Sequence, residues 1–203
     1  MTDHLLTRRQ AVGRWLAATS VGITASVLWT PDPAQAQLLP ETPSCGTDNA
    51  PTISQTEGPY YTPRTPEKRD FRRDAQGEAI TLIGFVTDRR CQPVANALVD
   101  LWHADAHGAY DNKGYKLRGH QTTDARGRYV FETVVPGLYP GRTRHFHVKI
   151  AAPGQRVLTT QLYFPDDVRA NSLDVIFDRR LLMRVDNTSD GKIGRYDFVV
   201  GLS

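Results

Sequence analysis

From residue 80 onward, short runs of alternating apolar and polar positions recur between turn signals, at residues 80–86, 97–103, 128–135, 145–151, 157–164 and 195–200. Alternation with a period of two puts successive side chains on opposite faces of an extended chain, so each run predicts a strand with one apolar face. The separators supply turn chemistry: Asp88-Arg89-Arg90, Asp124-Ala125-Arg126-Gly127, Pro136-Gly137, Pro153-Gly154 and Asp190-Gly191. Short strands punctuated in this way predict an all-β fold, an antiparallel β-sandwich with little helix, over residues 76–203. Only residues 171–184 show helical spacing, with Val175, Ile176, Leu181 and Leu182 as the apolar side. Residues 37–75, rich in Pro, Thr, Arg and Glu with little periodicity, predict an extended N-terminal arm wrapped on the sandwich.

The first 36 residues follow a different pattern. Arg8-Arg9 and Arg14 precede a charge-free stretch from Trp15 to Trp29, and Ala34-Gln35-Ala36 fits a small-x-small cleavage site. This reads as a signal peptide, residues 1–36, with Thr7-Arg8-Arg9-Gln10 similar to a twin-arginine export signal. Its apolar stretch would rise only about 22 Å as a helix, against roughly 30 Å of hydrocarbon, so no stable membrane anchor is expected. An exported, periplasmic or secreted protein is the expectation. In an oxidising compartment the two cysteines, Cys45 and Cys91, read as one disulfide.

Composition narrows the function classes. At 39% hydrophobic and 23% charged residues the chain is an ordinary globular one. A formal charge of +3, with no Lys/Arg run longer than two residues, gives no nucleic-acid footprint. The chemistry concentrates in Arg142-Thr143-Arg144-His145-Phe146-His147-Val148-Lys149-Ile150. On a strand His145 and His147 share one side, roughly 6.6–6.8 Å apart along the chain, while Phe146, Val148 and Ile150 face the core. Two imidazoles on a surface or cleft can hold one metal ion. Tyr139 lies six residues before His145 in a loop stiffened by Pro136 and Pro140, and Tyr110 follows another predicted strand. Asp186-Asn187-Thr188-Ser189-Asp190-Gly191 with Asp197 superficially resembles a calcium loop, but the following alternation favours a Ser-Asp-Gly-Lys hairpin turn.

Five segments together resemble the intradiol ring-cleavage dioxygenases, non-haem ferric enzymes that include catechol 1,2-dioxygenase and protocatechuate 3,4-dioxygenase. They are Gln55-Thr56-Glu57-Gly58-Pro59-Tyr60-Tyr61; Gly84-Phe85-Val86 with Asp88, Pro93 and Val94; Ala97 to Asp105 running on to Gly108 and Tyr110; Pro136-Gly137-Leu138-Tyr139 through His145-Phe146-His147; and Thr160-Gln161-Leu162-Tyr163-Phe164. The resemblance implies that Tyr110, Tyr139, His145 and His147 ligate Fe(III), that Tyr139 leaves the metal as a base, and that Arg142 and Gln161 act on the substrate and an oxygen-derived species. It further implies that Pro59 and Tyr60 line the substrate pocket, with catechol-type molecules and O2 as reactants and a muconate-type diacid as product. The charge arithmetic is consistent: two phenolates and one hydroxide cancel the three charges of a ferric ion, and a nearby cation pulls a phenol down from its usual value near 10. The features specific to this chain, an export signal and two cysteines, are similar to a small exported subgroup; which catechol is used stays open, as does a homo-oligomer. Two other classes compete: a secreted β-sandwich binding module without catalysis, since such folds host many functions, and a zinc hydrolase, disfavoured because zinc sites rarely recruit two tyrosines.

Overall fold

The predicted alternation builds two stacked sheets in the computed structural model, which describes residues 50–201. The strands are β1 (Ala79–Asp88), β2 (Leu98–Trp102), β3 (Arg118–Thr122), β4 (Arg128–Val134), β5 (His145–Ala151) and β6 (Leu158–Tyr163), then β7 (Arg184–Thr188), β8 (Gly191–Arg195) and β9 (Phe198–Val200). One sheet, ordered β3-β2-β5-β6, is antiparallel throughout. The other runs β4-β1-β8-β7 with β9 also against β1, and both β8 and β9 lie parallel to β1. The all-β sandwich therefore stands, with one mixed sheet in place of a wholly antiparallel pair. The inner faces meet through Ile80, Leu82, Tyr129 and Phe131 on one side and Val99, Leu101, Phe146, Val148, Ile150 and Leu162 on the other, all buried. This alternation of apolar residues from two sheets is the standard way a sandwich makes one core.

Two expectations are corrected. The single strand at 195–200 is two strands, because Tyr196 crosses over β1 and the Asp197 carboxylate, not a ladder carbonyl, accepts the Phe85 N–H at 2.9 Å. Gly84 permits that crossing, since a Cβ there would sit 1.8 Å from the Tyr196 carbonyl oxygen. The helical reading of 171–184 shrinks to α1 (Val168–Leu173) and a 3-10 turn at Arg179–Leu181, because the Asp174 and Asp178 side chains bond local main-chain N–H groups and turn the chain. Strands β3 and β7 went unpredicted. The hairpin at Ser189-Asp190 is borne out, with Thr188 paired to Gly191.

The described part of the arm is extended and bonded to four strands. Thr52 N–H donates to Val199, Gln55 to Thr159, Lys68 to His120 and Phe71 to Glu132. Phe71 is fully buried in the core. The arm thereby covers the edge of β6 and crosses the outer face of the β3-β2-β5-β6 sheet. Residues 1–36 and Cys45 lie outside the described residues, so the signal segment and the Cys45–Cys91 pairing carry no structural account; Cys91 itself sits in the turn after β1 with φ of 63°.

Candidate active site

The same parity that sends Phe146 and Val148 inward sends His145, His147 and Lys149 to the outer face of β5. Cross-strand register adds Trp102 and Gln161 opposite His147, and Tyr163 opposite His145. This face is polar yet covered: His145 is 3% and His147 1% exposed. Of the expected surface or cleft, the histidines thus lie in the second, roofed by the arm. Gly58 lies over the His147 ring, a Cβ there falling at contact distance, 3.4 Å, from His147 Cε1, and it is its left-handed backbone at φ 73°, not lack of space, that favours glycine in the roof.

The two imidazoles face each other, Nε2 to Nε2, at 3.1 Å. His145 Nδ1 lies 2.6 Å from the Thr143 carbonyl oxygen, which can only accept, so Nδ1 carries the proton and Nε2 presents its lone pair. His147 Nδ1 is buried without a partner. Burial, helped by the Arg142 cation, pushes His145 down to about 4, and burial with its neighbour His145 pulls His147 well below its ordinary value. Both rings are neutral at pH 7, the form that donates a lone pair to a metal.

The tyrosines reach this point from two clamped loops. Asp105 accepts the N–H groups of His107 and Ala109 through its side chain and that of Gly137 through its carbonyl, which fastens the Tyr110 loop to the Tyr139 loop. Tyr110 Oη lies 3.4 Å from His145 Nε2. Its ring stacks on Tyr60 at 4.3 Å and meets Tyr139 edge-on at 5.8 Å, and Tyr139 is also 5.8 Å from the His145 ring. Burial, then the neighbouring Tyr139, raises Tyr110, so it is a neutral phenol unless a cation supplies the opposing field.

Arg142 crowns the group. Its Nη1 donates to Tyr139 Oη at 3.3 Å, its Nη2 to Gln161 Oε1 at 2.5 Å, and its Nε to Asp174 Oδ2 at 2.9 Å. Gln161 is in turn tied to the arm, Nε2 donating to the Thr56 carbonyl at 3.1 Å. Of the expected residues, Tyr110, Tyr139, His145, His147, Arg142, Gln161 and Tyr60 come together, whereas Pro59 is exposed at the rim. Sequence reasoning missed Asp174, whose side chain is 0% exposed. It also missed Trp102, stacked on His147 at 4.9 Å with planes 8° apart. Strand parity alone would have placed Trp102 beside the histidines; nothing in the sequence pointed to Asp174. No cluster of three His, Cys, Asp or Glu forms among the described residues; the donor set is two imidazoles and two phenols, which suits a hard, highly charged cation.

A β-sandwich bearing two tyrosines and two histidines on one roofed sheet face defines a class, and the comparisons place the chain within it. A family model described as Dioxygenase matches residues 56–201. The protocatechuate 3,4-dioxygenase beta chain of Burkholderia cepacia is 35% identical over 62% of this chain and 65% of its own length. Catechol 1,2-dioxygenase of Acinetobacter guillouiae is 31% identical over 55% of this chain and 46% of its own. The dioxygenase domain of a dioxygenase carbohydrate-binding protein fusion from Streptomyces sp. SirexAA-E superposes with TM-score 0.73 at 48% identity, covering 76% of this chain and 100% of that one. For 3-chlorocatechol 1,2-dioxygenase from Rhodococcus opacus 1CP the TM-score is 0.67 at 29% identity, covering 75% and 73%. The chain belongs to the intradiol dioxygenase family. It spans about half to two-thirds of the length of the two curated relatives.

Proposed function

We propose that this protein is a non-haem Fe(III) intradiol dioxygenase that incorporates both atoms of O2 into a catechol-type substrate and opens the ring between the hydroxylated carbons, giving a muconate-type diacid. The observation that carries this reading is the gathering of Tyr110 and His147 within hydrogen-bond range of His145 Nε2, with Tyr139 against the His145 ring. Tyr110, Tyr139, His145 and His147 would hold the ion, which supplies a hard Lewis acid that binds the catechol oxygens and activates the ring toward O2. His145 is held in the correct tautomer by Thr143, and His147 is fixed by Trp102 on one face. Tyr139, as the phenolate it would be when bound to the ion, is placed to take a catechol proton at Oη and become the neutral phenol, because Arg142 donates to that oxygen and cannot itself take the proton. Arg142, braced by Asp174 and Gln161, keeps a fixed positive charge where negative charge develops on the substrate. Gln161 spends its oxygen on Arg142 and one N–H on Thr56, so its role is to brace the arginine. Tyr60, stacked on Tyr110, lines the entrance and helps keep water out.

The test is the visible spectrum and the product. Iron-loaded protein should be red-brown with a broad phenolate-to-iron band, consume O2 with a panel of catechols and release ring-opened diacids. A colourless iron-loaded protein, or a yellow semialdehyde from cleavage outside the diol, would overturn the proposal.

We also propose that the chain is exported, that cleavage follows Ala36, and that Cys45 pairs with Cys91. The basic-apolar-small order of residues 1–36 supports the first two; the cysteine count supports the third, together with the absence of a free cysteine among the described residues. Intact mass of the periplasmic protein, with and without reductant, decides all three.

A further inference from the structure

Arg118, the first residue of β3, is fully buried and forms no ion pair among the described residues. A buried guanidinium is expensive unless several acceptors replace its water. Here the acceptors are three oxygens from two segments: Nε donates to the Asp111 carbonyl at 2.9 Å, Nη1 to the Tyr60 carbonyl, and Nη2 to Asn112 Oδ1 at 3.4 Å. Tyr60 is the ring stacked on Tyr110 at 4.3 Å, and Asp111 is the next residue after Tyr110. One planar fork therefore grips the main chain of the arm and that of the Tyr110 loop on either side of that stack.

Two further features converge on the same position. The preceding residue, Leu117, is a non-glycine at φ 54°, held there by its N–H donating to Asp74 Oδ2 at 2.7 Å. The following residue, Gly119, is approached so closely by the arm that a Cβ would lie 2.6 Å from the Lys68 carbonyl oxygen. Strained backbone and an unpaired buried cation add nothing to the sandwich core, and such expense collects where geometry serves a site. We propose that Arg118 is a positioning residue: it fixes Tyr60 over Tyr110, and thereby sets the orientation of the Tyr110 phenol and the closure of the arm over the histidines. The inference deepens the proposed ferric site and rests on it only for the spectral and kinetic readouts below.

The experiment compares wild type with Arg118→Met, which keeps the stem without the donors, and Arg118→Lys, which keeps the charge but not the fork. In metal-free protein, hydrogen exchange should rise about tenfold or more at residues 58–62 and 110–113, equivalent to one charge-assisted bond lost, while β1 and β4 stay protected. In iron-loaded protein the phenolate band should move, and kcat should fall about 100-fold with a smaller change in KM, as expected for a ligand displaced by about an ångström. Lys should recover part of the effect. If Met does not fold, the Lys variant carries the same readouts. Unchanged exchange at both segments, or equal acceleration in β1 and β4, would overturn the role. So would an unmoved band in the Met variant, or in the Lys variant where Met does not fold. Absence of the band in wild type would instead remove the ferric reading, while the metal-free exchange result still decides Arg118.

Discussion

The two faces of the β3-β2-β5-β6 sheet are made by the same strands and are both buried, yet they are built on opposite chemistry. The inner face carries Val99, Leu101, Phe146, Val148, Ile150 and Leu162; the outer carries Asp100, Trp102, Arg118, His145, His147, Lys149, Gln161 and Tyr163. Burial of the first needs only another sheet. Burial of the second needs partners for its polar groups, and the arm supplies many of them one by one: Gln55 to Tyr163, Thr56 to Gln161, Glu57 to Lys149, Tyr60 to Arg118, Tyr61 and Thr65 to Asp100. The strands thus give stability on one side and a preorganised, water-poor site on the other, and the arm is what makes the second side possible.

The sharpest test of that division is adjacent residues with opposite costs. His147→Ala should abolish iron binding and all iron-dependent turnover, read by metal analysis and the visible band, while costing metal-free protein only about 1–2 kcal/mol, because it loses the stack on Trp102 and the contact of Nε2 with His145 but no partner at Nδ1. Phe146→Ala, one residue away and fully buried among the inner face, should cost about 3–5 kcal/mol in urea unfolding. If the two variants destabilise alike, the faces are not functionally separate.

His103 is a titratable residue of the inner face and offers a pH test of the same contrast. It is buried, its Nδ1 bonds the Ala104 carbonyl and its Nε2 bonds Thr133 Oγ1, both at 2.7 Å, and burial pushes it down to about 4. Unfolded, it would titrate near 6.5. Between those values the unfolded chain binds the extra proton, so stability is fully present above about pH 6.5 and falls as pH drops toward 4, by on the order of 3 kcal/mol for this residue. Denaturant midpoints from pH 7 to 4 should show that fall together with the contributions of His145 and His147, and His103→Gln should remove only its own share. Iron should protect the outer histidines against acid but leave the His103 contribution, since that ring lies on the other face.

How much of this was legible in the sequence follows from the same two faces. Strand β5 was read with its observed bounds because Phe146, Val148 and Ile150 alternate with polar residues. Strand β3, Arg-Gly-His-Gln-Thr, has no apolar face to announce it, since its outward side is roofed by the arm, and β7, Arg-Val-Asp-Asn-Thr, is almost wholly exposed. The four candidate ligands were legible from His-x-His parity and five matched segments. The bracing residues were not. Asp174 reaches Arg142 across 32 positions and Arg118 reaches Tyr60 across 58, contacts that no local period encodes.

The smallest effect probes whether the arm's hold on the outer face is made of individual bonds. Tyr61 Oη donates to Asp100 Oδ2 at 3.3 Å, and the same carboxylate accepts from Thr65 Oγ1 at 2.9 Å. Tyr61→Phe should keep the ring contact with Trp102, 4.7 Å away, and lose only the hydroxyl, costing about 1 kcal/mol at neutral pH. Burial holds the Asp100 carboxyl above its ordinary value, while the bonds from Thr65 and Tyr61 pull it back down. Removing the hydroxyl should therefore raise it further. A carboxyl raised in the folded state keeps its full stability below the unfolded value and loses it as pH rises through the folded one, so the cost of Tyr61→Phe should shrink toward zero near pH 3. The phenolate band should not move, because Trp102 stands between Tyr61 and His147. A cost independent of pH would mean that the arm is held by ring packing and not by its bond to a buried carboxylate.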